Sequence, residues 1–157
     1  MSDPSPVFAR EVVRHEPVRR DLRVVRSEEL TSTMVRITVG GESLARFSSV
    51  GPEDHVKLFF PAPVGERIAR DYTPLAFSPD RLELDIDVVL HGDSGPATRW
   101  AGAARPGDPI VVGGPRGSRR APAGARKYVL LADESALPAM SRWIRAAGVN
   151  AEVLAFV

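Results

Sequence analysis

Arg70, Tyr72 and Thr73 fall together in the stretch ARDYTPLAF, residues 69–77. In an extended chain successive side chains point to opposite faces, so Arg70 and Tyr72 share one face while Asp71 and Thr73 share the other. A ligand lying across the end of such a strand meets a cation and a ring at once. A guanidinium fork suits a pyrophosphate, a phenol ring stacks on a flat heterocycle, and a threonine hydroxyl or its backbone N–H can bond a ring nitrogen. The same spacing also suits an edge strand with a surface arginine and a core tyrosine, so this stretch alone leaves both readings open.

A second stretch, DVVLHGDSGPATRW at 87–100, runs from a strand through a glycine turn into a helix. Asp93 or Ser94 is the expected N-cap, and Pro96 falls in the first turn, where its missing N–H costs nothing. The free N–H groups of Gly95, Ala97 and Thr98 then face outward, and such helix starts attract anions. Gly95, without a side chain, lets a phosphate approach the backbone closely. A plain helix cap is the commoner use of these residues. Beside a strand-end arginine, however, the pattern favours a ligand that carries phosphate.

These two stretches need a scaffold, and the chain around them reads as short strands. RRDLRVVRS, TMVRITVGG, DHVKLFFP and RLELDIDVVLHG are rich in β-branched residues and are separated by Gly40-Gly41, Gly51-Pro52, Pro61-Ala62-Pro63 and Ser78-Pro79-Asp80. Leu82, Leu84, Ile86 and Val88 alternate with Glu83, Asp85 and Asp87, giving one buried and one wet face. The fold predicted is mainly β, an antiparallel Greek-key barrel over residues 18–126, with PIVVGGP as its closing strand. Residues 1–17, with Pro4, Pro6 and Pro17, read as a loose arm that tucks against it. KYVLLAD, ESALPAMSRWIRAAG and NAEVLAFV then read as strand, helix and strand, with Leu137, Met140 and Ile144 at helical spacing and Gly148 as the stop. Residues 127–157 are thus the first βαβ unit of a parallel α/β domain. One such unit is less than a nucleotide-binding sheet normally needs. The sequence therefore predicts a chain cut short, the alternative being an edge covered by another chain.

Composition removes several functions. The 157 residues are 43% hydrophobic and 26% charged with a net charge of +1, so no polyanion-binding balance is present and nucleic acid is not expected as a partner. With no Cys, thiolate nucleophiles, disulfides and Cys-ligated zinc or clusters are excluded. His15, His55 and His91 lack metal-ligand spacing, and no metal site is expected. No serine elbow, HExxH or Walker loop occurs. Without a signal peptide or an apolar run of membrane-spanning length, a soluble cytoplasmic protein is expected.

R-D-Y-T at 70–73, H-G-D-S-G-P-A-T-R-W at 91–100, G-P-R-G-S at 114–118 and D-E-S-A-L-P-A at 133–139 occur in this order. Together they resemble the siderophore-interacting protein family, FAD-containing ferric-siderophore reductases of the ferredoxin reductase-like superfamily. The resemblance spans nearly all of residues 18–157. It implies that Arg70 binds the flavin pyrophosphate, that Tyr72 faces the isoalloxazine, and that Thr73 sits near its reactive N5 edge as the catalytic contact. Gly95, Pro96, Ala97 and Thr98 match the phosphate-binding helix start, and Val89 and His91 the strand end beside the flavin. Gly114 to Ser118 match the segment leading into the nicotinamide domain, with Asp133 and Glu134 on the nicotinamide side. Two positions depart from the family pattern: Leu75 stands where an arginine is frequent, and Ala132 where a glycine precedes the acidic pair.

The resemblance implies FAD as cofactor, NAD(P)H or a ferredoxin as donor, and a ferric siderophore as acceptor; the oligomeric state is left open. Two other readings remain beside it: a flavin reductase serving a flavodoxin or ferredoxin, and a β-barrel binding module without flavin. Arg116, Arg119, Arg120, Arg126 and Lys127, with no acid among residues 115–127, could draw an anion or form a solvated linker.

Overall fold

The computed structural model describes residues 9–60, 68–91 and 95–157. Pro4, Pro6, Pro61 to Pro63, Asp93 and Ser94 lie outside the described residues. In chain order the strands are β1 (Val12–Arg14), β2 (Arg19–Thr31), β3 (Met34–Gly40), β4 (Val56–Phe60), β5 (Ile68–Tyr72), β6 (Pro74–Ser78), β7 (Glu83–Val89), β8 (Pro109–Gly113), β9 (Gly117–Arg119), β10 (Lys127–Leu131) and β11 (Glu152–Phe156). Helix α1 (Pro96–Ala103) lies between β7 and β8, and α2 (Leu137–Ala147) between β10 and β11.

Seven strands form one antiparallel sheet in the order β5-β4-β8-β2-β3-β7-β6. Its two outermost strands, β5 and β6, are separated in sequence by Thr73 alone. Neighbouring Cα atoms are about 3.8 Å apart, so the sheet must curl until its edges meet at that residue. Thr73 is the seam of the barrel. β8 is not the closing strand that PIVVGGP predicted: it bonds β2 on one side and β4 on the other, in the middle of the sheet.

The inner face follows from period-two patterning. Leu84, Ile86 and Val88 of β7 are buried, as are Val35, Ile37 and Val39 of β3 and Val56, Leu58 and Phe60 of β4. Burying each such side chain stabilises the fold by about 1.5–3 kcal/mol. On the outer face the alternate residues pair in charge. Arg36 grips Asp87 with two bonds, at 2.7 and 2.9 Å, and Lys57 Nζ meets Asp71 Oδ1 at 2.8 Å. The hydrogen bond to Asp87 comes first among the causes that raise the Arg36 pKa.

Three local expectations change. The N-cap of α1 is Gly95, because Pro96 itself is the first helical residue and the cap must precede it. The arm over residues 1–17 contributes β1, which pairs antiparallel with β9. That pairing also draws the basic connector into the body: Arg119 and Arg120 offer their carbonyls to Arg10 at 2.9 Å, and Arg120 pairs with Glu11 at 3.0 Å. It is a pinned ribbon over that length, not a free linker.

β10 and β11 are parallel, joined by α2, as the strand-helix-strand pattern predicted. Gly148 ends α2 at φ +76, a backbone conformation that glycine adopts without strain.

Candidate functional site

The nine residues singled out for cofactor contact, Arg70, Tyr72, Thr73, Val89, His91, Gly95, Pro96, Ala97 and Thr98, all line one cleft of about 520 Å³. That volume lies within the range of roughly 300–1,000 Å³ usual for small-molecule sites. One wall is the end of β5 with the seam; the other is the end of β7 with the start of α1. A single core side chain supports both. Phe60 meets Tyr72 edge-on at 6.5 Å between ring centres and Trp100 of α1 at 5.5 Å. The sequence reading missed Phe60 and Trp100, since nothing local tells a bracing aromatic from any other core residue.

On the β5 wall, register settles the facing of Arg70 and Tyr72. They stand opposite Leu58 and Val56, both buried, so they occupy the inner face, while Asp71 stands opposite Lys57 on the outer one. Tyr72 is half-buried at its root, and burial raises its hydroxyl pKa above the ordinary 10.0, with nearby Arg70 opposing. Arg70 is exposed; its Nη1 donates to the carbonyl of its own neighbour Ala69 at 2.9 Å. No carboxylate among the described residues pairs with it, because Asp71 is held by Lys57. The rest of its donor fork is open to the cleft.

On the α1 wall, the first intrahelical donor is Arg99, whose N–H reaches Gly95 O at 3.0 Å. Pro96 has no N–H, which leaves those of Ala97 and Thr98 ahead of the helical ladder. Gly95 is the sharper observation. Its φ of −163 is extended backbone open to any residue, and a Cβ built there meets no described atom within 4 Å. Neither conformation nor packing against the described residues demands glycine. The space beside it is a cradle that a side chain would fill.

Cation fork, aromatic face, seam hydroxyl and a helix start whose first N–H groups have no partner among the described residues make a donor set that fits FAD, which pairs a pyrophosphate with a flat ring system. Sequence reasoning missed His55, Asp71, Asp87, Ser135 and Pro138, which also line the cleft. The last two come from the start of the βαβ unit. Asp133 and Glu134 do not line it. Asp133 is occupied as a cap: its Oδ1 accepts from Ser135 N at 3.0 Å, Ser135 Oγ at 2.6 Å and Ala136 N at 3.2 Å. The Ser135 hydroxyl comes first in holding its carboxyl below the usual 3.8. Leu75, at the family's frequent arginine position, is a buried core residue.

Comparison with known proteins places the chain in a family. The chain is 39% identical over 148 residues to the NADPH-dependent ferric-chelate reductase of Escherichia coli K12, covering 83% of this chain and 58% of the relative. It is 30% identical over 152 residues to the ferric vibriobactin reductase ViuB of Vibrio cholerae, covering 85% and 55%. The crystal structure of a siderophore utilization protein from T. fusca superposes with a TM-score of 0.87 at 41% identity, covering 94% of this chain and 63% of that one. The chain thus spans little more than half the length of the two reductases. A model of the siderophore-interacting FAD-binding domain matches residues 23–69 and 65–119, more than half of the chain, including the β5 end, Thr73 and the β7–α1 wall of the cleft, and the chain belongs to that family.

Proposed function

We propose that this chain is the FAD-binding portion of a ferric-siderophore reductase. The observation that carries the reading is the cleft at the seam, where Arg70, Tyr72 and Thr73 face the open start of α1 across a gap that Gly95 leaves empty. Arg70 holds the pyrophosphate by charge-assisted bonds, and the N–H groups of Ala97 and Thr98 hold the phosphate from the opposite wall. Tyr72 orients the ring system and stays a neutral phenol, since burial raises its pKa. Thr73, at the seam, offers Oγ1 as donor or acceptor at the reactive edge of the ring. Val89 and His91 bound the same wall from the end of β7.

Held by these residues, FAD would supply the redox chemistry that links a two-electron nicotinamide donor, NADPH, to one-electron reduction of a chelated ferric ion to Fe(II). The ferric-chelate and ferric-vibriobactin relatives support that acceptor, and the NADPH-dependent relative supports that donor. Asp133 and Glu134, in the turn before α2, then stand on the approach of the nicotinamide.

The test is anaerobic. The FAD-loaded chain is photoreduced and mixed with a ferric siderophore, while the flavin spectrum and an Fe(II)-specific dye are followed together. Flavin reoxidation that yields dye-bound Fe(II) supports the reductase reading. Reoxidation by oxidised flavodoxin or ferredoxin alone, with no Fe(II) from the siderophore, overturns the acceptor, and a folded chain that retains no flavin overturns the whole reading.

A further inference from the structure

The seam at Thr73 is held from outside the barrel. β6 is an edge strand, and its pairing with β7 shifts register between Pro74 and Ala76, which frees backbone groups next to Thr73 from the ladder. Helix α2 covers them. Arg142 Nη1 donates to the carbonyl of Pro74 and to Ser49 Oγ at 2.9 Å, while Nη2 donates to Ser49 O at 3.0 Å and Gly51 O at 2.6 Å. Arg145 adds a bond to the next carbonyl, Leu75 O, at 3.3 Å. The Arg142 side chain is only 12% exposed, and the buried Asp54 carboxylate lies 3.9 Å from Nη2. A rigid guanidinium fork is thus spread over two barrel segments, and one of them is the residue that follows Thr73.

The same helix begins at the cleft. Ser135 and Pro138 line it, and Pro138 and Met140 are the buried residues of the helix. One end of α2 therefore forms part of the cleft wall while its middle grips the seam. We infer that Arg142 is a positioning residue, which fixes the Thr73–Pro74 corner relative to α2 and so sets Thr73 against the flavin. The inference rests on the FAD reading above for what Thr73 faces, but the corner itself is fixed by contacts within the chain.

Arg142 differs from the other cation docking this helix. Arg10 lies 4.9 Å over the ring of Trp143 on α2 and bonds Glu53 and the carbonyls of Arg119 and Arg120, but it makes no contact with the seam. Loss of either arginine loosens α2, and only loss of Arg142 releases Pro74. That contrast separates positioning from plain stability.

The experiment compares Arg142→Met and Arg10→Met with the parent chain, reading melting temperature, FAD dissociation constant, the visible spectrum of bound FAD, and amide exchange over residues 72–76. Both variants are expected to melt earlier. Only Arg142→Met is expected to weaken FAD about tenfold, the loss of one net hydrogen bond's worth of affinity. Its bound-flavin spectrum moves toward that of free FAD, and exchange over residues 72–76 rises. Arg142→Lys, which keeps the charge and part of the carbonyl contact, restores part of each change and serves if the methionine variant does not fold. Unaltered spectrum and exchange in a folded Arg142 variant, or equal changes in Arg10→Met, would overturn the inference. A parent chain that holds no FAD would sink the cofactor reading instead, and the exchange comparison alone then decides whether Arg142 holds the corner.

Discussion

Replacing Arg70 with alanine isolates the cation of the cleft from the fold. Arg70 is exposed and, among the described residues, bonds only its neighbour's carbonyl, so truncation should change unfolding free energy by less than about 0.5 kcal/mol. Against a pyrophosphate the same side chain makes charge-assisted hydrogen bonds, worth about 1.5–3 kcal/mol. At about 1.4 kcal/mol per decade, FAD affinity should fall roughly ten- to 150-fold, with the lower end favoured because the site is open to solvent. Arg119→Ala is the matched control. It is exposed, its backbone carbonyl rather than its guanidinium is engaged by Arg10, and its side chain is absent from the cleft. Affinity in that variant should stay within about twofold of the parent, since a lone surface charge contributes little. The assay is equilibrium titration by flavin fluorescence at two ionic strengths; salt should narrow the gap between the variants, as screening weakens a charge contact more than a stacking one. A folded Arg70→Ala protein that binds FAD as tightly as Arg119→Ala would refute the assignment of Arg70 to phosphate.

Gly95→Ser keeps a competent N-cap and so leaves the melting temperature unchanged or slightly raised, yet its Cβ enters the cradle and FAD affinity drops; parallel thermal and binding titrations check both halves. Ile86→Ala, at a position with 0% exposure in the middle of β7, should cost about 2–5 kcal/mol in denaturant unfolding. Asp133→Asn should flatten the acid limb of the stability profile. The folded pKa of Asp133 is held below 3.8, so its contribution is present above that pH and disappears as pH falls through the lower folded value, a loss that the asparagine variant cannot show in urea midpoints measured at successive pH values.

The parts of this structure that repeat locally were legible in the sequence. Alternation through Leu84, Ile86 and Val88 marked β7, and helical spacing with the Gly148 stop marked α2. Arg70, Tyr72, Thr73 and Gly95 to Thr98 were legible as well, because RDYT and GPAT each carry their chemistry within a few positions, whereas His55, Asp71, Asp87, Ser135 and Pro138 of the same cleft were not. What joins them was not. Closure of the sheet at Thr73 depends on the order of seven strands, and the β1–β9 ribbon pairs Val12 with Arg119, far apart in the chain. Such pairings leave no periodic trace. Arg142 carried no signal either, since a basic residue on an amphipathic helix normally reads as part of a solvated face. Its burial follows from the carbonyls of Ser49, Gly51 and Pro74, which only the folded barrel brings together.

The seam cleft is the FAD site on which every role above depends. The most direct measurement is the visible spectrum of the purified chain after saturation with FAD and gel filtration, with far-ultraviolet circular dichroism taken on the same fraction. A flavin spectrum is expected to co-elute with the protein at one FAD per chain. A strand-rich, folded fraction that emerges colourless, and stays so at high FAD concentration, would contradict it.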